Sequence, residues 1–279
     1  MGDRWFGRAI AEREVPAVID TSVAHPARIY DYLLGGKDNF AADRKAAQEA
    51  ASAFPYLGMA MRENRAVMRR MVTFLASELG IRQYLDIGTG LPTSPNVHEI
   101  AQAAITQGVR VVYVDNDPIV LAHARALLIG SEPGATAYID ADVREPGRIL
   151  GDPQLLRTLD LSQPVALLLF GTLHFIPEEN DPYGLVARLM SALPSGSYLA
   201  AQHPSADHYP EGRNPADAYR RAGIAYRNRT KEEFTRFFTG LELVPPGIGL
   251  STRWRANNEP QPRPPASQVG SYAGLARKP

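Results

Sequence analysis

The chain has 279 residues, a length at which one α/β domain with additions can bury most of the surface of its unfolded chain. Its 30 basic residues balance its 30 acidic residues, so no overall field attracts nucleic acid or an anionic membrane, and we expect a small-molecule partner. The sequence has no cysteine, which excludes disulfides, thiolate metal sites and a cysteine nucleophile.

The first residues, MGDRWFGRAIAERE, lack the apolar core of a signal peptide. The longest apolar run, near residues 165–170, is too short to span a bilayer. We therefore expect a cytoplasmic protein without a membrane partner.

Residues 1–80 precede the first predicted strand and have the pattern of helices broken at Gly35-Gly36 and at Pro55. We predict that they form an N-terminal helical cap on a domain that spans 81–279. Four residues of this cap are candidates for a lid over a cofactor or an acceptor: Tyr30, Asn39, Phe40 and Arg65. Two helices packed on the domain with charged outer faces would explain the same pattern.

After residue 82, short apolar runs alternate with helical stretches, which is typical of βαβ units and an α/β fold with a mostly parallel sheet. Strands are predicted near 83–87, 109–114, 135–139, 164–170 and 197–202, with a β-like segment at 271–277. Helix starts are predicted at capping patterns, which are Ser94-Pro95, Asp117-Pro118 and Thr230 with Glu233.

A glycine-containing turn, within YLDIGTGLPT at 84–93, directly follows the first predicted strand, where Rossmann-type folds bring a cofactor against the backbone. Gly88 and Gly90 allow that close approach. A dinucleotide fingerprint requires a third glycine, and Thr93 stands at that position. The carboxylate of Asp86 would repel a pyrophosphate, but it suits a cofactor that carries an ammonium and a sulfonium. S-adenosylmethionine therefore fits better than a nicotinamide dinucleotide.

Two more carboxylates follow the next two predicted strands. Asp115 stands where an acidic side chain can accept hydrogen bonds from both ribose hydroxyls of a cofactor. Asp142 could accept a hydrogen bond from the adenine amino group. Together with Asp86 they predict one cleft along the strand ends. Helix capping, by contrast, fully explains Asp117.

The stretches LDIGTGLPT, YVDNDPIVLAHARALL and DADVREP resemble the first three motifs of class I methyltransferases. More narrowly, TSVAHPARIYDYLLGGKDNFAADR at 21–44, RENRAVMRR at 62–70 and LHFIP at 173–177 resemble an actinobacterial family of S-adenosyl methyltransferases. The resemblance implies a seven-stranded sheet with helices on both faces, an antiparallel last strand and a cofactor at the carboxyl ends of the strands. The implied cofactor-binding residues, with their neighbours, are Asp86, Gly88, Thr89, Gly90, Asp115, Asn116, Asp142, Val143 and Phe170.

Two histidines follow the fourth and fifth predicted strands, where an acceptor pocket is expected. His174 and His203 could each act as a general base for an acceptor that holds its proton tightly. Anchoring a loop through hydrogen bonds is the more common role of such a residue, and it is the alternative for each. The spacing of His203, Asp207 and His208 is too unspecific to predict a metal site, and we expect no metal.

We therefore expect an S-adenosylmethionine-dependent methyltransferase that acts on a small molecule and releases S-adenosylhomocysteine. The fourth strand is not followed by the Asn/Asp-Pro-Pro-aromatic signature of enzymes that methylate adenine or glutamine amino groups. One alternative is a protein that senses the cofactor or its demethylated product without catalysing transfer. A nicotinamide-dependent reductase is a third hypothesis, which Asp86 and the missing third glycine argue against.

Overall fold

The structure is a computed structural model and describes residues 19–105, 107–127, 135–205, 207–209 and 214–279. Residues 1–18, which include the stretch without a signal-peptide pattern and the start of the predicted cap, lie outside the described residues. Within the part of the chain that is described, no helix is both long enough and apolar enough to cross a membrane.

The strands are β1 Gln83–Ile87, β2 Arg110–Asp115, β3 Thr136–Asp140, β4 Ala166–Phe170, β5 Tyr198–Pro204, β6 Glu242–Leu243, β7 Gly249–Leu250 and β8 Ser271–Arg277. They form one sheet in the order β3-β2-β1-β4-β5-β8-β6, with β7 also paired to β8. Neighbours among β1–β5 pair in parallel, whereas β8 is antiparallel to β5, β6 and β7. The predicted mostly parallel sheet with an antiparallel last strand is confirmed.

Over the described residues the sheet has eight strands rather than the predicted seven, because two short strands share the outer edge of β8. Strand β6 pairs at the Arg277 end of β8, and β7 pairs at the Tyr272 end. Between them the chain passes through Pro245 and Pro246, which have no N–H group to continue the ladder. The edge position is therefore divided into two pieces.

The helices are α1 Pro26–Leu33, α2 Ala41–Ala53, α3 Leu57–Ser77, α4 Val97–Ala104, α5 Pro118–Leu127, α6 Pro146–Leu150, α7 Pro153–Thr158, α8 Pro182–Ser191, α9 Ala216–Arg221, α10 Lys231–Thr235 and α11 Ala266–Val269. The predicted capping box of Thr230 and Glu233 is confirmed at the start of α10. The predicted cap at Ser94 is wrong: Asn96 is the capping residue of α4, because it forms a capping box with Glu99.

Helices cover both faces of the sheet, which explains why its central strands are apolar on both sides. On one face, Leu85 and Leu167 belong to the same buried cluster as Leu185 of α8. On the other face, Tyr84 shares a buried cluster with Met71 of α3. The layered architecture of a Rossmann-like fold follows from these two cores.

The described part of the predicted cap contains α1, α2 and α3. The first two helices pack against each other and against α9 and α11 in a separate apolar cluster. Helix α3 joins the core of the sheet, with Val67 and Leu75 fully buried there. Helices α1 and α2 thus form a cover, whereas α3 belongs to the helical layer of the sheet. The division of the chain at residue 80 stays a prediction.

Candidate active site

A cavity of about 460 Å³ lies at the carboxyl ends of the central strands, beneath α1 and the first turns of α3. This volume is in the range of small-molecule binding sites. The predicted cofactor-binding residues all line it, namely Asp86, Gly88, Thr89, Gly90, Asp115, Asn116, Asp142, Val143 and Phe170. The strand order brings them together because β3, β2, β1 and β4 are adjacent, although their ends are far apart in the sequence.

The turn after β1 requires its two glycines for different reasons. At Gly88, where φ is +72°, an added Cβ would lie 2.3 Å from Oγ1 of Thr172. The hydroxyl of Thr172 in turn donates to the carbonyl of Ile87 at 3.0 Å, which holds it in place. At Gly90, where φ is +67°, nothing lies within 4 Å of the Cβ position. Packing therefore demands glycine at the first position, and only backbone conformation demands it at the second.

A carboxylate and a guanidinium lie on the cavity wall near the end of β1. Asp86 is 8% exposed, and burial raises its pKa to about 6, although a hydrogen bond with Thr89 and the charge of Arg65 act in the opposite direction. Arg65 is anchored, because Nη2 donates to the carbonyls of Thr93 and Pro95 at 2.5 and 2.6 Å. The two opposite charges suit a ligand group that itself carries both charges.

Asp115, at the end of β2, supports the glycine turn. One of its oxygens accepts from the N–H of Gly90 at 2.8 Å, and the other accepts from the N–H of Asp117 at 3.0 Å. Burial raises the pKa of Asp115. Each carboxylate oxygen can accept more than one hydrogen bond, so Asp115 can still bind donors of a ligand in the cavity.

Asp142, beyond the end of β3, is held by two neighbours. Asn116 Nδ2 donates to it at 2.9 Å, and the guanidinium of Arg144 donates to both of its oxygens, at 2.9 and 2.5 Å. Burial favours the neutral acid, but these hydrogen bonds outweigh it and lower the pKa of Asp142. Sequence reasoning missed Arg144, although its position two residues after Asp142 was the available signal.

The four lid candidates fall into two pairs. Tyr30 and Arg65 line the cavity. Asn39 lies away from it and donates to Asp31 at 2.8 Å. Phe40 packs in a small apolar cluster that includes Ile119 of α5. Asn39 and Phe40 thus hold the loop between α1 and α2, which is the packing role considered as the alternative.

Sequence reasoning missed an ionic contact that joins the cover to the domain beneath it. Asp117 caps α5 as predicted, by accepting the N–H of Ile119 at 3.0 Å. Its second oxygen lies 3.1 Å from Nε of Arg28 and 3.0 Å from Nδ1 of His25. Burial favours the neutral form of Asp117, but His25 and Arg28 lower its pKa. Asp117 therefore has a second role besides capping.

His174 lines the cavity in the turn after β4. It is 8% exposed, and its Nδ1 has no hydrogen-bond partner among the described residues. Burial, with the charge of Arg229 as a smaller contribution, lowers the pKa of His174 well below its ordinary value. The ring is therefore neutral at pH 7, which suits hydrogen bonding to a ligand better than accepting a proton.

His203 is fully buried and stands behind the cavity wall rather than on it. Its Nδ1 lies 2.6 Å from the carbonyl of Pro204, and its Nε2 lies 3.0 Å from Nη1 of Arg229. Because a guanidinium only donates, Nε2 must accept and Nδ1 must carry the proton. Burial, then Arg229, lowers the pKa of His203 to about 3. This geometry supports the loop-anchoring alternative. No group of three His, Asp or Glu residues in the described ranges could hold a metal.

Arg229 itself fixes the turn that carries His174. It is fully buried and donates at 2.9 Å to the carbonyls of Leu173 and Ile176 and to the carboxylate of Glu178. The position of His174 thus depends on a side chain far along the chain.

The far side of the cavity, next to β4 and β5, is lined by rings that sequence reasoning missed. We call it the aromatic half, and we define it by Tyr30, Phe175, Tyr209, Tyr219 and Tyr226. Ring centroids are 4.9 Å apart for Tyr219 and Tyr226, and 5.7 Å apart for Phe175 and Tyr226. The part of the cavity over β1–β3, with Asp86, Asp115 and Asp142, is the carboxylate half.

Comparisons with known proteins agree with this geometry. The S-adenosyl methyltransferase family matches residues 12–279. A DUF574-family protein from Streptomyces avermitilis, whose crystal structure is known, is 46% identical with a TM-score of 0.87, over 94% of this chain and 100% of that one. A candidate methyltransferase from Thermobifida fusca is 41% identical with a TM-score of 0.85, over 92% of this chain and 96% of that one. The curated proteins gave no match. The chain belongs to the S-adenosyl methyltransferase family, and it is an S-adenosylmethionine-dependent methyltransferase with the class I Rossmann-like fold.

Proposed function

We propose that the carboxylate half binds S-adenosylmethionine and that the aromatic half holds a small-molecule acceptor of its methyl group. One observation carries this proposal. Three carboxylates, Asp86, Asp115 and Asp142, line one side of a cavity whose other side is built from neutral rings.

The amino-acid end of the cofactor fits the wall beside β1. Asp86 supplies a carboxylate for the ammonium group, and Arg65 supplies a cation for the carboxylate of the cofactor. Asp86 is buried and Arg65 is half-buried, and charge-assisted hydrogen bonds to such groups contribute about 1.5–3 kcal/mol each. The backbone of Gly90 leaves open space at this wall, since nothing lies within 4 Å of its Cβ position.

The nucleoside end fits the wall beside β2 and β3. Asp115 retains acceptor capacity for the ribose hydroxyls, and Asp142 with Asn116 offers polar atoms to the adenine edge. Val143 and Phe170 supply apolar contact on either side of this polar row.

The chemistry places modest demands on the protein. When bound, the cofactor supplies an electrophilic methyl group on a positively charged sulfur. Held by Asp86, Asp115 and Asp142, it would present that methyl group to a lone pair of the acceptor, and sulfur would keep the electron pair of the broken carbon–sulfur bond. Because burial lowers the pKa of His174, that ring would not keep the proton of the acceptor, which would be lost to solvent. Holding the two reactants in line supplies much of the rate enhancement.

Calorimetric titration of the purified protein with S-adenosylmethionine, S-adenosylhomocysteine and NADH tests the cofactor assignment. We expect the two adenosyl ligands to bind and NADH not to bind. Replacement Asp115→Ala should weaken the adenosyl ligands tenfold or more, which corresponds to about 1.5–3 kcal/mol. Binding of NADH alone, or of none of the three, would overturn the proposal.

Transfer of a radiolabelled methyl group tests the acceptor class. Protein loaded with labelled S-adenosylmethionine is incubated with a metabolite extract, with tRNA or with DNA. We expect label in the small-molecule fraction. Label that enters only tRNA or DNA would contradict the small-molecule acceptor and leave the cofactor assignment intact.

A further inference from the structure

The boundary between the two halves of the cavity holds two polar side chains that the mechanism above leaves without a partner. Asn64 of α3 is 5% exposed and His174 is 8% exposed, and both line the cavity. Oδ1 of Asn64 and Nδ1 of His174 have no hydrogen-bond partner among the described residues. A buried polar atom without a partner is unfavourable, so a ligand that supplies the partner binds more tightly than one that does not.

We propose that the aromatic half binds an uncharged aromatic acceptor whose O–H or N–H group donates a hydrogen bond to Oδ1 of Asn64. This inference rests on the proposed function, since it names the class of molecule that the methyltransferase modifies.

The hydrogen-bond network fixes which atom of the Asn64 amide is left without a partner. The hydroxyl of Tyr30 lies 3.1 Å from the carbonyl oxygen of Met61, to which it can only donate. The same hydroxyl lies 3.1 Å from Nδ2 of Asn64 and accepts from it. Burial raises the pKa of Tyr30 to about 12, so this hydroxyl keeps its proton at neutral pH. The amide nitrogen is therefore engaged, and Oδ1 is left as an acceptor.

Asn64 is also seated at the right place along the strand ends. A Cβ added at Gly171, which directly follows β4, would lie 3.2 Å from Nδ2 of Asn64. Asn64 thus stands over the end of β4, between the carboxylates of β1–β3 and the rings of the aromatic half. An acceptor group bound to Oδ1 would meet the cofactor at this boundary.

The charge distribution indicates an uncharged acceptor. Among the described residues that line the cavity, the acidic and basic side chains are His25, Arg65, Asp86, Asp115, Asp142, Arg144 and His174. Only His174 stands beside the rings of the aromatic half, and burial lowers its pKa so far that it is neutral there. A charged group placed against those rings would lose its hydration without gaining an opposite charge, which is strongly unfavourable.

The rings of this half indicate an aromatic acceptor. The rings of Phe175, Tyr219 and Tyr226 pack edge to face or tilted. The ring centroids of His174 and Tyr226 are 4.7 Å apart. Such walls bind aromatic surfaces through large apolar contact and favourable ring geometry. Neutral His174 adds a second hydrogen-bonding atom beside them, Nδ1.

Three bicyclic probes of similar size test the proposal: 2-naphthol, which has one donor, 2-fluoronaphthalene, which has none, and the anion 2-naphthoate. Calorimetry measures their affinity for the full-length wild-type protein, both alone and with saturating S-adenosylhomocysteine. We expect 2-naphthol to bind about 5–10 times more tightly than 2-fluoronaphthalene, the ratio for one neutral hydrogen bond, and 2-naphthoate to bind most weakly. Equal binding of the first two probes, preference for the anion, or binding of none would overturn the inference.

Two variants locate the hydrogen bond. In Asn64→Leu the preference for 2-naphthol over 2-fluoronaphthalene should disappear, whereas Tyr219→Phe, which keeps the ring, should retain it. A preference that survives in Asn64→Leu would exclude Asn64 as the partner. If Asn64→Leu folds poorly, the comparison of the three probes in the wild-type protein still decides the question, because it needs no variant. If S-adenosylhomocysteine binds but the probes do not, only this inference fails; if S-adenosylhomocysteine does not bind, the proposed function fails.

Discussion

Charged side chains line one end of the cavity, and uncharged side chains line the other. The carboxylate half holds Asp86, Asp115 and Asp142, whereas the described residues of the aromatic half offer rings and uncharged polar atoms. Burying a charged ligand is costly without an opposite charge, while burying an uncharged ring is favourable against apolar walls. Under the proposed function, the two halves would therefore sort cofactor and acceptor by charge, and each half would disfavour the ligand of the other.

The two halves are also supported differently. Asp86 and Asp115 belong to the last residues of β1 and β2, and Asp142 lies two residues beyond β3, so the sheet itself positions them. The turn of the aromatic half that carries His174 is held by the buried side chain of Arg229. Substitutions can therefore disturb one half and spare the other.

The largest effect is expected from Arg229→Met. The substitution removes the donors for the carbonyls of Leu173 and Ile176, and breaking such a buried charged network costs about 3–5 kcal/mol of the free energy of unfolding. Affinity for S-adenosylhomocysteine should change less than about threefold in the protein that remains folded, because the turn that Arg229 holds belongs to the aromatic half. A threefold change in affinity corresponds to about 0.6 kcal/mol of binding free energy. Urea unfolding and calorimetry measure the two quantities.

The matched control is Arg236→Met, an exposed arginine 4.0 Å above the ring of Tyr183. Its loss should cost at most about 1 kcal/mol of the free energy of unfolding. Equal stability of the two variants, or a large loss of S-adenosylhomocysteine affinity in Arg229→Met alone, would show that the halves are not independently supported.

A smaller effect, confined to the carboxylate half, is expected from Gly88→Ala. The new Cβ would meet Thr172 and also adopt a left-handed backbone, which together cost about 2–5 kcal/mol of the free energy of unfolding. Gly90→Ala carries the backbone strain alone, about 1–2 kcal/mol. Urea unfolding of both variants checks the difference. If Gly90→Ala proved the more damaging, the packing argument for the turn would be wrong.

The pH dependence of cofactor binding tests whether Asp86 binds the ammonium group of the cofactor. Its pKa of about 6 means that its carboxylate is charged above pH 6 and neutral well below it. The ammonium group of the cofactor prefers the charged form, so affinity for S-adenosylhomocysteine should fall about tenfold from pH 7 to pH 5. Calorimetry across this range should show the fall in wild type. Asp86→Asn should bind weakly at both pH values, and a fall of the same size in that variant would assign the titration to another group.

The smallest effect is expected from Arg144→Ala. Arg144 is half exposed, so its ion pair with Asp142 contributes at most about 1 kcal/mol to the free energy of unfolding. Affinity for S-adenosylhomocysteine should change less than about threefold, because Asp142 keeps its hydrogen bond from Asn116. Arg148→Ala, in an exposed pair with Glu145, is the control. A tenfold loss of affinity in Arg144→Ala alone would make Arg144 a direct ligand of the cofactor.

The carboxylate half could be predicted because its signals are local. Asp86, Asp115 and Asp142 each follow an apolar run within three residues, and parallel strands bring their carboxyl ends to one edge. The predicted strands agree with the observed ones for the same reason, since periodicity and short turns define them. The edge strands β6 and β7 were missed because two residues carry no periodic pattern.

The aromatic half could not be predicted in the same way. Tyr30, Phe175 and Tyr226 belong to three distant segments, and only the packing of α1 and α9 over the strand ends unites them. Two contacts join side chains that are far apart in the sequence. They are the hydrogen bond that Asn64 donates to the hydroxyl of Tyr30 and the contact by which Arg229 anchors His203. No spacing rule along the chain marks such pairs.

The ion pair between Arg28 and Asp117 affects how the protein unfolds. Arg28 belongs to α1 and Asp117 to the start of α5, and both side chains are almost fully buried. If α1 detached alone, this buried ion pair would break and Asp117 would lose both of its cationic neighbours, His25 and Arg28. Cover and sheet should therefore melt cooperatively, so that heating gives one transition without an earlier step in which only the cover is lost.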